Sequence, residues 1–518
     1  MIKKPLLFLS AFLFSALLLS VSASAAEADH AGSVLSAEGF SSPSLLSDGD
    51  DRSHTATQSG GSVTITREGG ISFLYIVFDR IPKQWTLSGG SDGTQSVCGE
   101  NSFLHEYVDV SSRLGSTPEM VRLDFPAGTS IDEIYAFGEG TVPDWVQRWS
   151  PPCEQADLLL LSSHSDDEQL FFAGVLPIYA GERGLKVQVV YLVNHYYFTS
   201  ESQRLRPHEQ LDGLWTVGVR NYPVMSDFPD LYSESLDEAL AAYRSYGFGY
   251  DDFTQFITGI LRRFQPLVVV THDVKGEYGH GTHILCATAL MDALGLAADE
   301  SAFPESAGLY GTWETEKAYL HLYPENPVIL DLDVPLSAFG GKTALEVSQD
   351  GFEKHVSQHK WWFYGWLNGT NGQKITQASD IKTYSPCYYG LYYTCVGYDA
   401  EGGDLMENVK SYAERYAESQ APEDPEDPGG DEGPENTGNT EDDGSPSAGI
   451  PENDGPKETG NMEPSPEPGP EASPEPDNAE SPGPDGALTV LAAAAAALAA
   501  AVIICVIVVY RWKRKKSN

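Results

Sequence analysis

An α/β fold, a mostly parallel sheet with helices on both faces, is predicted for the middle of this chain. Two observations predict it. Between residues 154 and 415, short apolar runs alternate with longer stretches of helical period, which is the pattern of a βαβ series. Two of those runs, Leu158-Leu159-Leu160-Leu161 and Val268-Val269-Val270, are apolar at every position, as strands covered on both faces must be.

In order, the expected elements are a strand over 157–162, a helix over about 168–183 and a strand over 187–193. Helices over about 202–219 and 251–264 follow, then a strand over 267–271 and a helix over about 281–294. Val328–Leu332 and Tyr388–Val396 are further strands, with a helix over about 341–357 between them. The whole predicts a Rossmann-like sheet, in which ligands collect at the C-terminal strand ends.

The flanks have other characters. Residues 1–26 read as a secretory signal: Lys3-Lys4, an apolar run and a small-residue end at Ser22–Ala26. Residues 27–152 carry short alternating strands, among them Ser62–Thr66, Phe73–Phe78, Glu119–Phe125 and Ile131–Phe137, between Gly/Ser/Asp clusters, and predict a β-sandwich. Their segment order, with Leu46-Ser47-Asp48-Gly49-Asp50, loosely resembles discoidin-type or galactose-binding-like jelly rolls. That resemblance implies a glycan-binding module; a spacer without ligand is the alternative. The α/β domain is assigned to 153–415.

Residues 416–486 are rich in Pro, Glu and Asp. From Ala421 to Gly486 there are about 20 acids and a single base, Lys457, so this is an extended, solvated stalk. Residues 487–510 form an apolar run long enough to span a bilayer, and the basic stretch Arg511–Lys516 within 511–518 places the C-terminus inside. The expectation is a single-pass protein of the cell membrane with its N-terminal domains extracellular. The net charge of −43, acidic even outside the stalk, argues against nucleic-acid partners. Six Cys make no disulfide framework. Cys98 with Cys153 and Cys387 with Cys395 are possible pairs, and Cys286 reads as a core helix residue.

The chemistry lies past the two apolar strands. Ser163-His164-Ser165-Asp166-Asp167-Glu168 follows the first, and Thr271-His272-Asp273 then Gly276-Glu277-Tyr278-Gly279-His280-Gly281-Thr282-His283 follows the second. A hydrolytic zinc needs three protein ligands and one open place for water. His164 and Asp167 lie three apart on a turn, and His280 and His283 share a helix face. One of that pair can ligate while the other moves a proton. Either stretch alone is also explained by helix capping.

These stretches resemble two motifs of the PIG-L/LmbE-like zinc-dependent N-acetylglucosaminyl deacetylases, (A/P)-H-P-D-D-E and G-G-Y-G-H-P-D-H. Arg206-Pro207-His208-Glu209 is similar to the family's R-x-x-E, and His355-Val356-Ser357-Gln358 to its H-x-S-Q. The resemblance implies a hydrolase that removes acetate from an N-acetylated amino sugar or glycan. It implies that His164, Asp167 and His283 hold Zn2+, another divalent metal being possible. Asp166 is then the general base. His280 stabilises the oxyanion or protonates the leaving amine, and Tyr278 polarises the carbonyl. Arg206 grips substrate, with Glu168 and Asp273 supporting the ligands from behind.

Three departures stand out: Ser165 and Gly281 replace prolines, and Thr282 replaces the acid between the two histidines, which leaves His280 a weaker acid partner unless Asp273 substitutes. The alternatives are a surface glycan-binding protein with weak or no catalysis, and a hydrolase of another amide or ester. Aromatics at Tyr196, Tyr197, Phe198, Trp361, Trp362, Tyr364 and Trp366 offer a sugar platform, or plain core.

Overall fold

The structure, a computed structural model, describes residues 26–90, 93–198 and 200–420. The expected signal, nearly all of the stalk, and the membrane span lie outside those residues. Within them the N-terminal half is all antiparallel strand: β1 (Val34–Phe40), β2 (Thr55–Thr66), β3 (Phe73–Phe78), β4 (Trp85–Gly89), β5 (Thr94–Cys98), β6 (His105–Asp109), β7 (Met120–Phe125) and β8 (Ser130–Phe137), with a short helix α1 (Val110–Leu114). They join in the order β5-β4-β7-β2-β8-β3-β6, with β1 against β2. The long β2 serves both layers, pairing with β8 through Thr55 and Ala56 and with β7 from Gly61 onward. Val63, Ile65, Leu74, Ile76, Leu87, Leu123 and Ile134 fill the space between, all buried.

The second half carries β9 (Leu158–Ser162), β10 (Val187–Tyr191), β11 (Val224–Met225), β12 (Val268–Thr271), β13 (Lys317–His321), β14 (Pro327–Ile329) and β15 (Tyr388–Thr394), in the order β11-β10-β9-β12-β13-β15-β14. The sheet is mixed. From β11 to β13 the strands are parallel; β15 and β14 join antiparallel at one edge. The apolar run of β9 shows why both faces must be covered. Leu158 and Leu160 pack into one core and Leu159 and Leu161 into another. Burying such a side chain contributes about 1.5–3 kcal/mol.

Five helices of this half matter for the site: α2 (Asp167–Leu170), α3 (Glu201–Thr216), α4 (Leu236–Ser245), α5 (Tyr250–Phe264) and α6 (Gly281–Ala298). The core of Leu159 and Leu161 takes in residues of α4, α5 and α6; that of Leu158 and Leu160 takes in Leu211 and Leu214 of α3. Among the described residues α6 alone is long and apolar enough to cross a membrane, and it is a largely buried core helix. Its C-terminal carbonyls are capped by the buried Arg262 of α5, whose guanidinium donates to Leu296, Ala297 and Asp299.

Several expectations are corrected. The helix expected over 168–183 stops after Leu170 and resumes as a wide turn at Pro177–Glu182. Gly174 between them has φ +90°, and a Cβ there would meet Leu332 at 2.2 Å, so the chain cannot stay helical. Strand β13 went unread because it opens on a lysine; Lys317 is buried, its ammonium bonded to Asp399 and the Glu407 carbonyl. The five described cysteines are all free, so neither pairing forms.

The two halves meet along α3 within one compact unit. Phe103 stacks on Tyr222, whose hydroxyl accepts the Leu104 N–H at 2.9 Å. Arg204 of α3 reaches Asp79 at 2.7 Å.

Candidate metal centre

Strand β9 ends at Ser162, and the chain turns at once into α2. The turn forces Asp166 to φ +142°, a backbone conformation that costs free energy in a non-glycine residue and is held only where its surroundings impose it. His164 and Asp167 thereby face the same point. His164 Nδ1 lies 3.1 Å from Asp167 Oδ2, and the His164 N–H donates to that oxygen at 2.9 Å. His283, in the first turn of α6, brings Nε2 to 3.2 Å from His164 Nδ1 and 3.4 Å from Asp167 Oδ2. A tetrahedral ion bound at 2.0–2.1 Å sets its ligands about 3.3–3.4 Å apart. The three donor atoms match that spacing, and all three residues are buried.

The proton positions favour a cation as well. His283 Nδ1–H donates to Glu277 Oε2 at 2.7 Å, which aims Nε2 at Asp167 and His164, where a metal ion would take the place of its proton. His164 Nε2 lies 3.5 Å from Asp230 Oδ1 without a hydrogen bond, while its Nδ1 faces Asp167 and His283. His283 therefore has a hydrogen-bonded carboxylate behind it, the arrangement that orients metal-binding histidines. Burial pulls the His283 ring down, but Asp167 and Glu277 outweigh it and lift the ring to about 10. Burial opposes Asp167, yet His283 and His164 hold its carboxyl well below the usual range.

His272 also lies near, 3.5 Å from Asp167 Oδ2. Its Nε2 already accepts the Ser163 N–H at 2.9 Å and its Nδ1–H serves Glu277, so it braces the turn and is not free to ligate. His195 accepts from the Ser165 hydroxyl at 2.8 Å and faces Asp230 at 3.3 Å.

Asp166 is buried next to the trio. Burial pushes its carboxyl up to about 7 against the pull of Arg206. Arg206 Nη2 donates to the Ser165 carbonyl at 2.7 Å and to Asp166 Oδ1 at 3.3 Å, while Nη1 reaches Asp230 at 3.3 Å. Its two terminal nitrogens are engaged with the site's own acids and the Ser165 carbonyl, so Arg206 braces Asp166, while its Nε is buried without a partner. Glu168 accepts the Asp166 N–H at 2.8 Å and steadies the strained turn. His280 stacks on His283 with centroids 4.5 Å apart. Its Nδ1 accepts the Thr282 N–H at 3.2 Å, which puts the ring proton on Nε2. Burial, with His283 and His164, keeps this ring well below the ordinary imidazole range. Tyr278, at φ +47°, sets its ring edge-on to His280 and His283 at 5.5 and 5.6 Å.

Residues 159–294 match the family model described as GlcNAc-PI de-N-acetylase. They are a PIG-L domain. A 1D-myo-inositol 2-acetamido-2-deoxy-alpha-D-glucopyranoside deacetylase 2 of Saccharopolyspora erythraea is 45% identical over 76 residues, 15% of this chain and 27% of the relative. The deacetylase 1 of the same description from Catenulispora acidiphila is 25% identical over 194 residues, 34% and 58% of the two chains. A probable N-acetylglucosaminyl-phosphatidylinositol de-N-acetylase of Schizosaccharomyces pombe is 22% identical over 216 residues, 40% and 81%. The chain thus spans 27% and 58% of the length of the first two.

In this PIG-L domain the sequence departures have local causes. A Cβ at Gly281 would meet the Ser235 carbonyl at 2.2 Å, and its N–H donates to the Ser233 carbonyl at 2.8 Å; proline fits neither. The Thr282 hydroxyl turns to the Leu231 carbonyl at 3.1 Å. Asp273 does not back a ligand. Its carboxylate takes the Lys275 N–H at 3.1 Å, and Glu277, which sequence reasoning left without a role, does the supporting. Asp230 was missed too, in a loop with no regular spacing to signal it. The two short motifs meet in space, where Glu209 accepts both the N–H and the hydroxyl of Ser357. Of the aromatics, Trp362 stands exposed beside Tyr278 at 5.7 Å, and the unforeseen Tyr232 stands edge-on to His280 at 5.2 Å.

Proposed function

We propose that the chain is a metal-dependent deacetylase, with zinc the best-fitting ion, that hydrolyses the N-acetyl amide of an N-acetylglucosamine-type sugar. The convergence of His164 Nδ1, Asp167 Oδ2 and His283 Nε2 at 3.1–3.4 Å carries this reading. The names of the relatives support the substrate class. The apolar leader and the C-terminal apolar run with its basic flank support an extracellular site of action on a single membrane anchor.

When bound, the ion acidifies a water and polarises the acetyl oxygen. Asp166 takes the water's proton as the new bond forms to the acetyl carbon. Arg206 holds that carboxylate from its far side and keeps it aimed. Nε2 of His280 gives a proton to the nitrogen as the C–N bond breaks, and the proton that Asp166 took from the water restores the ring through solvent, so the products are the free amine and acetic acid, which ionises to acetate. Tyr278 lies alongside, where it completes the carbonyl's surroundings. Tyr232 and Trp362 offer exposed ring faces to the sugar.

Asp166→Asn tests the reading. Acetate release from N-acetylglucosamine oligomers should fall by about 10²–10⁴-fold, the usual contribution of a general base, with metal content unchanged. Undiminished release would remove Asp166 from the mechanism. A metal-loaded wild type that frees no acetate from these oligomers, but cleaves other acetyl amides or esters, would replace the sugar in this reading.

A further inference from the structure

The seam between the β-strands and α3 holds a second set of side chains that the reaction does not use. Its proton positions can be read from one end. Trp149 Nε1–H donates to Gln147 Oε1 at 2.8 Å, so that atom is an acceptor, and the Gln147 amide donates to Asp212 at 2.5 Å. His105 Nδ1 lies 2.9 Å from the same oxygen and so carries a proton. In the neutral ring Nε2 is then bare, and His208 Nδ1, 2.9 Å away, donates to it. Neutral His208 is left showing a bare Nε2 to Asp132 Oδ2 at 3.5 Å.

Neither of these atoms has a hydrogen-bond partner, and Asp132 and His208 are 0% and 6% exposed. Two lone pairs facing each other out of water require a positive charge between them. The separation is long for a hydrogen bond. It is close to the roughly 3.4 Å edge between two ligands of a tetrahedral ion. Asp79 and the exposed His54 offer further ligand atoms that lie, with one from Asp132, all within 4.8 Å of one another. Arg204 lies closer to Asp79 than to Asp132, with Nη1 at 2.7 Å from the first and 3.5 Å from the second. Burial, with Asp79 beside it, pushes the Asp132 carboxyl up to about 8, so a cation bound here displaces a proton.

We propose a second divalent-metal site at this seam, built on Asp132, with His208 facing one of its oxygens and Asp79 and His54 grouped with it. Mixed imidazole and carboxylate donors suit zinc and its first-row neighbours. Three ligands come from the β-half and His208 from α3, so the ion would staple the two together. This inference stands apart from the deacetylase reading.

The test is a cobalt titration of the metal-free full chain, followed by its visible absorption and by elemental analysis. Wild type should bind two ions per chain. Asp132→Asn should bind one, and so should His54→Ala, a surface change that leaves the buried network whole. Asp167→Asn should keep the seam ion, and its melting temperature should rise with cobalt; adding Asp132→Asn should abolish that rise. Seam variants that hold as many ions as wild type, or an Asp167→Asn chain that holds none, would overturn the proposal and leave a proton joining Asp132 to His208.

Discussion

Glu277 accepts the Nδ1–H of His283 at 2.7 Å, and its two oxygens also receive His272 at 2.9 Å and His321 at 2.6 Å. One carboxylate thus sets three imidazoles. Glu277→Gln keeps the shape but leaves one oxygen for four donors, the three imidazoles and the Asp273 N–H. Metal affinity should fall by about 10–100-fold, as when other outer partners of metal-binding histidines are removed. Competition with a chromogenic chelator measures it, and equal affinity in the variant would contradict the arrangement.

Gly281 opens the helix that carries His283. In Gly281→Ala the new methyl would meet the Ser235 carbonyl at 2.2 Å and Ser233 Oγ at 2.3 Å. Overpacking of this kind costs about 1–3 kcal/mol. Denaturant unfolding should show that loss, and acetate release should fall with it as His280 and His283 move.

His195 is buried, and burial with Arg206 beside it lowers its imidazole to about 4 against the opposing pull of Asp230. Between pH 4 and 6.5 the unfolded chain binds a proton here that the folded chain refuses. Stability from this group is therefore fully present above about 6.5 and is lost as pH falls towards 4, by an amount on the order of 3 kcal/mol. Denaturant unfolding of the metal-free chain across that window should be steeper in wild type than in His195→Gln. Parallel curves would show that His195 does not stay neutral.

Cys98 and Cys286 are buried, and burial pushes both thiols up to about 12. Cys395 is exposed. A thiol reagent at pH 8 should label Cys395 quickly in the native chain and reach the buried pair only on unfolding. Mass analysis without reductant should find none of the five described cysteines in a disulfide.

The sequence shows some of this site and hides the rest, for physical reasons. Leu158–Leu161 and Val268–Val270 are legible because a strand covered on both faces leaves no polar position. His164, Asp167 and His283 are legible because they follow those strands at close spacing. Glu277 stands in the same stretch, yet its work depends on His272, His283 and His321, and their meeting is a property of the fold. Asp230 is held by His164, His195 and Arg206 from three separate segments. Asp273 was the plausible acid by position, but its carboxylate is taken up by its own turn. The long helix after Glu168 breaks at Gly174, whose φ of +90° leaves the helix and whose missing side chain leaves room for Leu332, distant in sequence.

Helix α3 faces two ways. Arg206 reaches down to Asp166, while Arg204 and His208 reach up into the β-strands. A chain begun at residue 153 would strip those two of every acid they meet across the seam and expose Tyr222 and Trp215 to water. A piece begun there should therefore be less stable than the two halves joined, because the first half supplies the acids that Arg204 and His208 meet.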